Sequence, residues 1–125
     1  MAILTKQVPG KVAEVVEHLR SLLEARQVTV FAVIDQAAAA EHAGTGLRDT
    51  VLVMFGDPAA GTPVMAAEPL AAVDLPLKVV IWDDEGTTKV SYRDPVEQAV
   101  ALGVPEQLAA RLAAVHVVTD ALAVG

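Results

Sequence analysis

Cysteine is absent from this sequence. That removes disulfides, thiolate nucleophiles and every cysteine-containing zinc site, and it leaves the redox compartment open. Aromatic residues are nearly as scarce, at 3%. Phe31, Phe55, Trp82 and Tyr92 are the only rings available for packing, so the core must rest on small and branched aliphatics. Serine occurs only as Ser21 and Ser91, neither within a Gly-x-Ser-x-Gly elbow, which leaves hydroxyl nucleophiles little to draw on. Basic residues number nine against sixteen acidic ones, for a net charge of -7, and they form no cluster. Binding to a nucleic-acid backbone or docking on anionic lipid needs such a cluster, so both partners are excluded. No apolar run approaches the roughly 18 residues of a membrane span, and the N-terminus lacks a signal-peptide layout. The expectation is a cytoplasmic protein without membrane contact. With 125 residues, 54% of them hydrophobic, it should form one domain, 1–125, with a single core.

What is present reads as an alternation of strands and helices. Ile3 to Val8 suggests a first strand, closed by Pro9-Gly10. Val12, Val15, Val16, Leu19, Leu22 and Leu23 then follow helical spacing, with Glu14, Glu17, Arg20 and Glu24 on the other faces. Thr29 to Ile34 is a β-branched run of strand length, and Ala37 to Ala43 is a short helix ended by Gly44 and Gly46. Thr50 to Phe55 is apolar on both alternating faces, the pattern of an interior strand. From Gly56 to Pro76 the spacing predicts a long irregular connection with at most a helical turn at Val64 to Ala67. Leu77 to Trp82 and Thr87 to Tyr92 flank Asp83-Asp84-Glu85-Gly86 as a hairpin, with Thr87, Lys89 and Ser91 on a solvated face. Asp94-Pro95-Val96-Glu97 carries the N-cap, first-position proline and capping-box acid of a helix. That helix stops at Gly103, and Leu108, Leu112, Val115, Thr119 and Leu122 form a last apolar stripe. The order β-α-β-β-β-β-α gives an α+β domain, an antiparallel sheet with helices packed on one face.

Gly56 and Gly61 hold the G-x-x-x-x-G spacing of a phosphate-binding loop. Thr62-Pro63 stands where Lys-Ser/Thr is required, Pro58 and Pro63 remove donor N–H groups, and Asp57 adds a repelling charge. The stretch reads instead as a rigid strand exit. His18, His42 and His116 are isolated from one another and from other ligand types, so no metal site is expected. Asp35, Asp57, Asp74, Asp83 and Asp94 all fall at strand ends. They could form a paired acid/base site if they share one end of the sheet, although turns and caps select aspartate on their own. Lys78 is the lone charge in an apolar run, able to face solvent, pair with Asp74 or hold an anion.

Phe31-Ala-Val-Ile-Asp35, Phe55-Gly-Asp-Pro58 with Gly61-Thr-Pro-Val-Met65, Asp74-Leu-Pro-Leu-Lys78 and Tyr92-Arg-Asp-Pro95 occur in linked order. Together they resemble the bacterial family named domain of unknown function 302. The resemblance implies a β-α-β(4)-α fold similar to the TATA-binding-protein-like class, without implying DNA binding. Gln36 and Asp57 stand where that family often shows histidine and asparagine. No reaction follows from the family label.

The leading reading is a homodimeric ligand-binding or interaction module without catalytic activity or cofactor. Its small-molecule ligand would be met by Asp35, Gly56, Asp57, Pro58, Gly61, Thr62 and Lys78. The alternative is an enzyme with a carboxylate site at one end of the sheet, using Asp35 and Asp57 with help from Lys78 or Thr62. A purely structural, oligomer-forming domain fits the composition as well.

Overall fold

The computed structural model describes residues 2–124. Its elements run β1 (Ile3–Gln7), α1 (Val12–Ala25), β2 (Thr29–Asp35), α2 (Gln36–His42), β3 (Thr50–Gly56), α3 (Pro58–Ala67), β4 (Leu77–Asp84), β5 (Thr87–Arg93), α4 (Pro95–Ala101), α5 (Glu106–Ala109) and α6 (Ala114–Val124). The strands form one antiparallel sheet in the order β1-β5-β4-β3-β2, so β3 is interior as its two apolar faces require.

One face of the sheet is the core. Val53 and Phe55 of β3, Val79 and Ile81 of β4, and Val90 and Tyr92 of β5 are buried there. The stripe of α1, through Val15, Leu19 and Leu23, packs on β3 and β4, and α6 packs on α1 and β1 through Val115, Val118 and Leu122. By length and composition alone, Glu106–Val124 is one helical stretch long and apolar enough to cross a membrane. Here its apolar side is core: Ala109, Leu112, Val115, Val118 and Leu122 are all buried.

Three local expectations need correction. The Gly56 to Pro76 connection is mostly helical, with α3 followed by a 3₁₀ turn at Pro69–Val73. Asp57 caps α3, Pro58 occupies a position where its missing N–H is not needed, and buried Val64 anchors the turn despite Pro63. The hairpin loop is two residues, because the strands run on through Asp84 and from Thr87. Glu85 and Gly86 have φ of 51° and 96°, the type I′ geometry that matches strand twist. Ser91 is buried, since it bonds Thr5 Oγ1 at 2.8 Å and accepts from Trp82 Nε1 at 2.9 Å.

Candidate functional site

Where β3 leaves the sheet, the chain turns sharply into α3 and opens a cavity of about 470 Å³. Its floor is apolar. Leu23, Phe31 and Phe55 line it from α1, β2 and β3, Val28 from the turn between α1 and β2, Met65 from α3, and Leu112 and Val118 from the last helical stretch. Gly56 lets the Phe31 ring lie close, because a Cβ there would meet its edge at 3.3 Å. The polar side chains in the lining are Asp57, Thr62 and Arg111.

The backbone donors that open α3 are already spent. Pro58 has none, Ala59 N–H donates to Asp57 Oδ1 at 2.9 Å, and Ala60 and Gly61 N–H both donate to the Asp57 carbonyl at 2.9 Å. A phosphate would find the N–H groups of Ala59, Ala60 and Gly61 taken and a carboxylate beside them.

Of the residues expected to meet a ligand, Gly56, Asp57, Pro58, Gly61 and Thr62 line this cavity together. Asp35 does not. In the β2–β3 register Thr29 lies opposite Gly56 and Asp35 opposite Val51, so Asp35 and Asp57 sit at opposite ends of the strand pair, about 20 Å apart at strand rise. Asp35 Oδ1 accepts from Ala38 N–H at 2.9 Å and caps α2. Each carboxylate is a helix cap, and the paired-carboxylate arrangement is not formed. Lys78 lies elsewhere again, in a second depression of about 410 Å³ with Asp74, Ser91, Tyr92 and Arg93. It donates to the Asp74 carbonyl oxygen at 3.0 Å, so its partner is Asp74 backbone rather than carboxylate.

A polar cluster between β1, β5 and α6 escaped the sequence reading. Lys6 Nζ donates to Tyr92 Oη at 3.1 Å and Thr119 Oγ1 at 2.7 Å, and pairs with Asp120 at 2.7 Å. Tyr92 Oη lies 2.7 Å from His116 Nδ1, and His116 Nε2 lies 3.4 Å from Asp94 Oδ1. Burial pulls the Lys6 ammonium down, but its bonds to Asp120 and Tyr92 outweigh this and raise its pKa. The hydrogen bond and charge of Lys6 hold the Asp120 carboxyl below its ordinary range. The available signal was a lysine at the inward position of a strand, spaced two from Leu4 and Val8, opposite a threonine in an apolar helical stripe. Every described buried side-chain polar atom in the fold has a partner, which marks this cluster as a satisfied network. Among the described residues, no three His, Asp or Glu side chains gather as metal ligands.

Residues 4–122 match the family model described as "Domain of unknown function DUF302". Over 110 residues the chain is 31% identical to proteins named fluoride-specific ion channel FluC 1 from Brucella suis biovar 1 (strain 1330) and Brucella abortus biovar 1 (strain 9-941). Those matches cover 86% of this chain but 43% and 41% of the two relatives, so it spans less than half their length. The crystal structure of an uncharacterized conserved DUF302 protein from Bacillus stearothermophilus superposes with a TM-score of 0.83 at 20% identity. It covers 98% of this chain and 96% of that one, and shares the fold.

Proposed function

This chain belongs to the DUF302 family, and we propose that it is a binding module whose β3–α3 cavity takes a small, mainly apolar molecule without transforming it. The observation that carries this reading is the cavity itself. A volume of about 470 Å³ falls within the ordinary range of small-molecule sites, and its walls are side chains of Leu, Val, Phe and Met. The two methionines in the lining, Met54 and Met65, adapt their shape to a guest. Reaction chemistry has no comparable support: Asp57 and Thr62 are the only described acid and hydroxyl side chains in the lining, and Asp57 is committed to its helix cap.

Filling the cavity tests the reading. Gly61 lies inside α3, where a Cβ meets Met65 and Leu75 only at 3.9 and 4.0 Å. Gly61→Leu should therefore keep the fold while placing its side chain in the guest's space. Thermal-shift screening of apolar metabolites should show hits with the parent protein, and at least tenfold weaker binding for the variant by titration calorimetry, the loss expected when about two buried methylenes of contact are displaced. A screen without hits, or hits untouched by Gly61→Leu, removes the cavity from consideration.

Self-association is the second part of the reading, and it rests on the sheet face turned away from α1 and α6. Leu52 pairs across the strands with Ile34 and Val80, and Met54 with Ala32 and Lys78. Ile34 is exposed and the others are half-buried. This apolar patch, with Lys78 as its single charge, suits a second copy packed sheet on sheet about a two-fold axis.

The Brucella relatives are named as fluoride channels. We read the shared region as a module attached to such proteins and not as their pore. The reason is that Glu106–Val124, the one described stretch with the length and composition of a span, spends its apolar side on the sheet and α1.

A further inference from the structure

The β3–α3 cavity also carries a statement about the head group of its guest, and this rests on the reading of the cavity as a ligand site. We infer that the guest is an amphiphile with an apolar tail and a single anionic head, a carboxylate in the simplest case, bound by Arg111.

Arg111 is the only cation among the described residues of the lining. It is exposed, and among the described residues it has no hydrogen-bond or ion-pair partner, so its donors remain available. A guanidinium presents two parallel N–H groups that match the two oxygens of a carboxylate. The remaining polar groups do not compete for that head. Asp57 Oδ1 accepts from Ala59 N–H, and the neighbouring backbone donors are taken by the Asp57 carbonyl. Thr62, at the same wall, offers a neutral hydroxyl. A tail buried among Leu23, Phe55, Met65 and Leu112 thus leaves Arg111 as the natural contact for the polar end.

The overall charge of -7 opposes an anion. That opposition acts at long range and is screened beyond about 8 Å at physiological salt, whereas the contact with Arg111 is direct. The local pair therefore decides the preference, and because Arg111 is exposed the preference is moderate.

The test compares decanoate, 1-decanol and decylammonium, each below its aggregation threshold, by titration calorimetry on the parent protein and on Arg111→Gln and Arg111→Lys. Decanoate should bind about two- to fivefold tighter than decanol, the range for a charge pair at an exposed site. Arg111→Gln should erase that difference, and Arg111→Lys should keep part of it. High salt should narrow the gap in the parent protein and in Arg111→Lys, and leave Arg111→Gln unaffected. Equal binding of decanoate and decanol, or a decanoate preference that survives Arg111→Gln, overturns the head-group assignment while the cavity reading stands. Tighter binding of decylammonium overturns it in favour of Asp57. No binding by any of the probes overturns both.

Discussion

Lys6 occupies an inward position on β1, and its charge is kept there by three partners on two elements: Asp120 and Thr119 on α6, and Tyr92 on β5. The pair with Asp120 makes stability depend on pH at both extremes. The folded-state pKa of Asp120 is lowered from 3.8, so its contribution is present above that value and disappears as pH falls through the folded pKa. The folded-state pKa of Lys6 is raised from 10.5, so its contribution is complete below that value and is lost as pH rises through the folded pKa. Asp120→Asn should accordingly lower the melting temperature at neutral pH. The gap between variant and parent should close as pH drops below 3.8, read from circular-dichroism melts across a pH series. A gap that stays constant into strong acid would show that the carboxylate charge contributes nothing. Sequence alone missed this network because Lys6 lies 110 positions from His116 and 113 from Thr119, and only folding brings them together.

At the scale of elements, three helices end in the same way. After α1, Gln27 N–H bonds the Glu24 carbonyl and Val28 N–H the Leu23 carbonyl. Gly44 and Thr45 repeat the pattern after α2, and Gly103 and Val104 after α4. This Schellman arrangement needs a left-handed residue, and φ is 81° at Gly44, 96° at Gly103 and 58° at Gln27. Gln27 bears a Cβ in a region that costs an L residue about 1–2 kcal/mol, partly offset by the smaller entropy it loses on folding. Gln27→Gly should thus stabilise the protein by about 0.5–1 kcal/mol, seen as a higher urea midpoint at unchanged slope. The glycine-ended helices were legible in the sequence for this reason, and so was the α4 start, where Asp94 accepts from Val96 and Glu97 N–H. The helix α3 was not legible. Its two prolines and two alanine pairs carry no apolar stripe, and it is held by contacts of Val64 with a core that local pattern does not reveal.

For the molecule as a whole, the sheet has one face committed to the core and the other partly open. If the open face pairs with a second copy, light scattering should give twice the 13.0 kDa chain mass. Leu52→Glu should then yield monomers, because it places an acid at the centre of the Ile34, Met54 and Val80 patch while Val51 and Val53 keep the core intact. Monomer in the parent protein would remove the sheet face as an interface. Ligand binding is independent of that result, since the patch and the β3–α3 cavity share only Met54 of the residues named for each.

The sequence by itself determined the α+β order, the interior place of β3, the helix caps and the rejection of a phosphate loop. Each follows from local periodicity or from the chemistry of adjacent residues. It also singled out Gly56, Asp57, Pro58, Gly61 and Thr62, which lie together in the lining of one cavity. Tertiary structure alone decided that Asp35 and Asp57 lie at opposite ends of a strand pair, because register is a relation between strands and is not written in either one. It alone placed Arg111 beside that cavity, from a helical segment some fifty positions further along, since packing angles between helix and sheet depend on the whole core.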